Sequence, residues 1–157
     1  MSRLSLPMPS SGGVVRLAIK AEFSRLGAMG LSVYLITKNE GAHLAEVLAS
    51  CAGADEIIVV DSGSTDKTLE IARAAGARVI HQDWLGFARQ KDFALRQCTH
   101  EWVLNMDGDE ILSAGAMPLI RQAIASGRAV GYRIARDDEF MGESMSASHC
   151  RPFLRVY

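Results

Sequence analysis

The chain has 157 residues, of which 48% are hydrophobic and 22% charged, a balance that builds one globular domain with a real core and excludes disordered, collagen-like and coiled-coil architectures. Seventeen basic residues against eighteen acidic ones leave a formal charge of -1, so no global positive field draws the chain to nucleic acid, and an anionic ligand must be held by local groups. Three cysteines, Cys51, Cys98 and Cys150, show neither CxxC nor zinc spacing; an odd number so far apart fits a reducing, cytoplasmic setting rather than a disulfide framework. No run approaches the roughly 18 apolar residues of a membrane span, and the N-terminus lacks the apolar core of a secretory signal.

Residues 1–13, MSRLSLPMPSSGG, are rich in Pro, Ser and Gly and read as a mobile tail that adds little to the fold. From Val14 to Met29, Arg16, Lys20 and Arg25 stand among apolar residues; a short basic amphipathic helix touching a membrane surface and an ordinary surface helix or leader both fit. The folded domain is expected over residues 30–157. Four short apolar or β-branched runs, 31–37, 56–61, 77–82 and 101–107, predict buried strands. The segments between them are amphipathic. Leu44, Val47, Leu48 and Cys51 follow the spacing of one helix face. A second helix, capped by Ser64 or Thr65, is expected to run through Leu69, Ile71 and Ala75 and stop at Gly76. A third should span Gly86 to Gln97, and a fourth should run from about Pro118 to a stop at Gly127. This alternation predicts an α/β fold, a mostly parallel sheet flanked by helices on both faces. The final stretch, AVGYRIARDDEF and RPFLRVY, predicts further, antiparallel strands at the sheet edge. Ending on an apolar strand-like RVY, the domain reads as C-terminally incomplete, with an unfinished edge that would favour a homo-oligomer.

In an open parallel sheet, ligands bind beyond the carboxyl ends of the strands. Three such ends are polar here: Thr37-Lys38-Asn39-Glu40, Asp61-Ser62-Gly63-Ser64-Thr65-Asp66 and Asp107-Gly108-Asp109-Glu110. All three should converge on one crevice. Asp61 follows four apolar residues and can either accept hydrogen bonds from a base or ribose or cap the Ser-Gly-Ser turn. Asp66, in the first helical turn, reads as structural. Asp107-Gly108-Asp109 places two hard carboxylates two residues apart at a strand end; it can bind Mg²⁺ or Mn²⁺ and through it a diphosphate, or it is only an Asp/Gly-rich turn. Ile111 and Leu112 exclude an EF-hand, and neither a GxGxxG nor a P-loop signature is present. The four histidines are scattered and read as surface or packing residues. Arg89 and Lys91, on the third helix, read as solvated charges, or the helix directs one of them toward a base or phosphate.

LSVYLITKNEGAHLAEVL, ADEIIVVDSGSTDKTLEIARAAGARVI, WLGFARQKDFAL, EWVLNMDGDE and GYRIARDDEFMG, taken together and in order, resemble family-two glycosyltransferases of the GT-A fold, and within them the bacterial β-glucosyltransferases of lipopolysaccharide core biosynthesis. The resemblance covers about residues 31–155. It implies a UDP-hexose donor, inverting transfer to a glycolipid or oligosaccharide acceptor, and a place at the cytoplasmic face of the inner membrane. On the matching positions it implies that Thr37, Asn39 and Glu40 contact the donor, Asp61 recognises the uracil, and Lys91 helps hold the nucleotide. It further implies that Asp107 serves the ribose and the metal side, and that Asp109 is the direct ligand of a Mg²⁺ or Mn²⁺ cofactor. Asp92 stands where the family usually has asparagine. The general base of an inverting enzyme lies well downstream of the DxD in this family, and none of the later carboxylates, Asp137, Asp138, Glu139 and Glu143, matches its motif. A chain without that base would be a nucleotide-binding or assembly module. A nucleotidyltransferase would need a glycine-rich N-terminal loop that is missing here.

Overall fold

A computed structural model of the protein describes residues 2–5, 29–140, 143–145 and 153–157. The strands are β1 (Ser2–Ser5), β2 (Leu31–Thr37), β3 (Glu56–Asp61), β4 (Arg78–His81), β5 (Trp102–Asp107), β6 (Glu110–Leu112), β7 (Tyr132–Phe140), β8 (Glu143–Met145) and β9 (Phe153–Val156). The helices are α1 (Leu44–Ser50), α2 (Thr68–Ala74), α3 (Phe87–Arg96) and α4 (Ala116–Ala125). The four expected strands form the parallel half of the sheet in the order β4-β3-β2-β5, and β9, β7, β1 and β6 continue it.

Strand alternation decides which helix covers which face. Leu31, Val33 and Leu35 of β2, with Val59 of β3 and Leu104 and Met106 of β5, pack against the apolar stripes of α1, α2 and α4. Tyr34, Ile58, Val60 and Val103 point the other way and meet Phe93 and Ala94 of α3. The helices therefore lie on both faces, as the pattern predicts, and Leu44, Val47, Leu48 and Cys51 are all buried. The Cys51 and Cys98 thiols, pushed up to about 12 chiefly by burial, are packing groups rather than nucleophiles.

Four expectations need correcting. Ser2–Ser5 is a strand, paired parallel with β6 and antiparallel with β7, where the composition predicts an idle tail; the supposed amphipathic segment from 14 to 28 lies outside the described residues. Helix α2 begins at Thr68 instead of following Ser64 or Thr65, because those two side chains bind the neighbouring loop, and it buries Thr68 and Ala72 while Ala75 is exposed. Helix α4 starts two residues before Pro118, after Gly115 in the left-handed region at φ 82°. Finally, β9 is no open edge. It lies between β5 and β7, antiparallel to both, with Val156 fully buried and Val103 and Tyr157 exchanging backbone hydrogen bonds. The edge on which association was expected is therefore inside the sheet.

At the opposite ends of the strands from the crevice, Glu56 ties three elements together. Its carboxylate accepts from Ser32 Oγ at 2.7 Å, the Thr99 N–H at 3.0 Å, Thr99 Oγ1 at 3.1 Å and Arg78 at 3.0 Å. Burial alone would raise this carboxyl, but the bonds from Ser32, Thr99 and Arg78 outweigh it and hold Glu56 below its ordinary value of 4.5. A depressed carboxyl contributes stability above its unfolded value and loses it as pH falls through the folded one. Thermal unfolding between pH 7 and pH 3 should therefore show Glu56→Gln less stable at neutral pH, with a shallower decline below about pH 4.5.

Candidate functional site

The crevice is built from three strand ends and one helix. Register places Thr37 at the end of β2 beside Asp61 at the end of β3, and Ile36 beside Asp107 at the end of β5. Beyond them the loops clasp one another. Asn39 donates its N–H to Ser64 Oγ at 2.8 Å, and its Oδ1 accepts the Thr65 N–H at 2.8 Å. The Glu40 N–H donates to Thr68 Oγ1 at 2.8 Å and the Gly41 N–H to Asp66 Oδ2 at 2.9 Å, while Asp66 Oδ1 accepts from the Thr68 N–H at 3.0 Å. Asp66 is thus structural, as its place in the sequence predicts. Asn39 itself has φ 57°, a left-handed backbone that asparagine tolerates better than most residues. In thermal unfolding, Asn39→Gly should lose the Thr65 contact only, and Asn39→Ala should lose about 1 kcal/mol more through strain.

Asp61 is 1% exposed. Its Oδ2 accepts the Gly63 N–H at 2.8 Å and the Ser64 N–H at 2.9 Å, and its Oδ1 accepts from Ser64 Oγ and, at 3.4 Å, Thr37 Oγ1. Of the two readings open for Asp61, the geometry displays the turn cap, with Gly63 at φ 94° allowing the tight path.

The Asp107-Gly108-Asp109 turn is held from below by Glu110, 1% exposed, whose Oε2 accepts the Asp107 N–H at 3.0 Å. Asp107 shares its strand face with Val103, the face that α3 covers, and Lys91 of α3 meets it with Nζ 2.6 Å from Oδ1. Gly108 lets the turn approach the first loop; a Cβ there would fall 2.8 Å from Glu40 Cγ. Burial and the nearby charge of Asp109 hold the Glu40 carboxyl above its ordinary range. Beside the loops lies a cavity of about 350 Å³ lined by the polar residues Thr37, Lys38, Glu40 and Ser62 and by the apolar residues Ile36, Trp84 and Phe87.

The sequence model of glycosyl transferase family 2 matches residues 32–153, the span that contains all of these groups. The chain belongs to glycosyl transferase family 2. Relatives in the family include an uncharacterized glycosyltransferase of Rickettsia typhi, 42% identical over 120 residues, which cover 74% of this chain and 41% of that one. The lipopolysaccharide core biosynthesis glycosyltransferase LpsC of Rhizobium meliloti is 37% identical over 127 residues, 77% of this chain and 47% of LpsC. The chain thus spans less than half the length of these relatives. Among solved structures, S. aureus TarS 1-349 superposes with a TM-score of 0.56 at 28% identity, over 62% of this chain and 33% of TarS. The fold is the GT-A fold of such glycosyltransferases, as the motifs imply.

Within this family-two domain, Thr37 and Glu40 of the residues singled out for a site line the cavity; Asn39 and Asp61 belong to the first and second loops beside it, and Lys91 on α3 and Asp107 and Asp109 on the turn after β5 lie outside its lining. Asp92 instead forms an exposed ion pair with Arg96 one helical turn on, 2.9 Å. His81 contacts exposed Asp83, and His100 contacts Ser32 and lies near Glu56; His149 and Cys150 lie outside the described residues. Among the described residues no group of three or more His, Cys, Asp or Glu side chains could hold a metal ion. Two carboxylates on one turn, in a neighbourhood made more acidic by Glu40, fit an ion such as Mg²⁺ or Mn²⁺ that takes its remaining ligands from phosphate and water. They do not fit a closed structural metal centre.

Three side chains of the site escape the motif argument. Gln90, fully buried on α3, donates from Nε2 to Gln82 O at 3.0 Å and accepts the Leu85 N–H at Oε1, 3.2 Å, fixing the loop before the helix. Trp84 and Phe87 of that loop and helix start line the cavity. The available signal was the cluster WLGF itself: two aromatic residues and a leucine where a loop runs into the start of the third helix.

Proposed function

We propose that the chain is the donor-binding portion of an inverting glycosyltransferase that transfers a hexose, with glucose the first candidate, from a UDP-sugar to a lipopolysaccharide core or other envelope glycan acceptor, using Mg²⁺ or Mn²⁺. The observation that carries this reading is that two polar strand ends line one cavity through Thr37, Lys38, Glu40 and Ser62, while the third, with the Lys91–Asp107 pair and Asp109, adjoins it at Glu40. Family membership and the name of LpsC support it.

In this reading Thr37, Asn39 and Glu40 form the wall against which the nucleoside lies, and Asp61 contributes by holding the Gly63–Ser64 turn in shape for the base. Lys91 places an ammonium group where the donor diphosphate arrives, and Asp107 and Asp109 are the residues that hold the cation. When bound, the cation supplies Lewis-acid stabilisation of the departing nucleoside diphosphate. Direct displacement at the anomeric carbon inverts it. No residue is assigned as the base that deprotonates the acceptor. Among the described residues no helix is long and apolar enough to cross a membrane, and we place the protein in the cytoplasm, at the inner face of the membrane where a nucleotide sugar and a glycolipid can meet.

Titration calorimetry with UDP-glucose, UDP-galactose and GDP-mannose in the presence of Mn²⁺ tests the reading. The UDP-sugars should bind at least about tenfold more tightly than GDP-mannose, a difference of about 1.4 kcal/mol. Equal affinity for all three, or none for any, would contradict the assignment.

A further inference from the structure

Trp84 and Phe87 are 49% and 72% exposed, although burying either ring would be favourable by roughly 1.5–3 kcal/mol. Their exposure is built into the loop. Gln90 holds residues 82 and 85 from inside the protein, the Gln82 N–H donates to Asp61 O at 2.9 Å, and Gly86 takes φ 88° to turn the chain into α3. The rings stand perpendicular with centroids 4.9 Å apart, an arrangement in which the ring presenting its edge has both faces clear of its neighbour. Both line the cavity together with Thr37, Lys38 and Ser62.

Helix α3 also sets a polarity. Phe87 and Lys91 are four residues apart, hence on one face of the helix and separated by roughly 6 Å along its axis. Lys91 meets Asp107 outside the cavity lining, whereas Phe87 and Trp84 line the cavity itself. We propose that Trp84 and Phe87 form a stacking platform for the base of the donor nucleotide, with the diphosphate directed toward Lys91 and Asp107, and that Gln90 is the positioning residue of the platform. The proposal rests on the donor-binding reading above and names where on the chain the base is held. Flat heteroaromatic rings are the ligand chemistry that exposed aromatic side chains and polar groups lining one cavity suit.

The test compares UDP with inorganic pyrophosphate, both with Mn²⁺, on the full chain and on Trp84→Ala, Phe87→Ala and Gln90→Leu, with ligand-free thermal unfolding as the check on folding. Trp84→Ala and Phe87→Ala should each weaken UDP binding about tenfold and leave pyrophosphate binding unchanged, with unaltered unfolding; Gln90→Leu should weaken UDP binding in the same selective way. If wild type binds UDP and both aromatic variants bind it equally well, the platform is refuted and the donor reading stands. If UDP and pyrophosphate weaken together in the aromatic variants, the rings serve the whole site and the platform is again refuted. Loss of binding to anionic phospholipid vesicles in Trp84→Ala, with UDP affinity intact, would assign the rings to a lipid surface instead. Absence of UDP binding by wild type would refute both readings.

Discussion

Asp61→Ala is expected to lower thermal stability by on the order of 3 kcal/mol and to abolish nucleotide binding with it. The carboxylate is 1% exposed and receives two backbone N–H groups and two hydroxyls. Removing it takes the acceptor from the Gly63 and Ser64 donors and leaves a gap at a buried position, and bonds to a charged acceptor are the stronger kind. For a chain of this size the loss corresponds to roughly 6–12 °C in melting temperature. Asp61→Asn keeps one acceptor oxygen and should recover part of both stability and binding. Circular-dichroism melts beside UDP titrations separate the two roles open for this residue. If the turn is what Asp61 supplies, stability and affinity fall together; full stability with lost affinity would mean that the carboxylate acts on the base directly.

Asp109→Asn should behave in the opposite way, leaving the melting temperature within about 1–2 °C of wild type while removing the metal-dependent part of UDP affinity, a loss on the order of 100-fold. Asp109 is exposed on the turn after β5, so little packing depends on it. Its charge is nevertheless felt, since with burial it raises the Glu40 carboxyl. Neutralising Asp109 relieves that repulsion as it removes a hard ligand, so stability should hold or rise slightly while Mn²⁺ loses its effect. Calorimetric titration of UDP with and without Mn²⁺ checks both parts.

The parallel half of the sheet was legible because buried β-branched runs and helical periodicity are local signals: 31–37 and 56–61 match β2 and β3 residue for residue, and Gly76 and Gly127 follow their helices with positive φ. The crevice was legible for a different reason. Polar residues that follow apolar strands have to emerge at strand ends, and parallel order then gathers those ends. Long-range pairing was what the local pattern could not carry. Ser2–Ser5 has no periodicity of its own and becomes a strand only through backbone bonds to β6 and β7. The strand-like RVY reads as a free edge until β7 is known to lie on its other side. Ser64 and Thr65 are good helix caps by type, yet Asn39 reaches them first from 25 and 26 residues away. Gln90 gave no signal at all, since a polar residue on an amphipathic helix reads as solvated until the loop it holds is seen to close over it.

The donor site is tested most directly by thermal unfolding of the full chain titrated with UDP, with and without Mn²⁺. At about a hundred times its dissociation constant a ligand stabilises the folded state by roughly 2.7 kcal/mol, enough to read as a shift of several degrees. A metal-assisted donor site requires a rise with UDP that is larger when Mn²⁺ is present. No rise with UDP under either condition would contradict it.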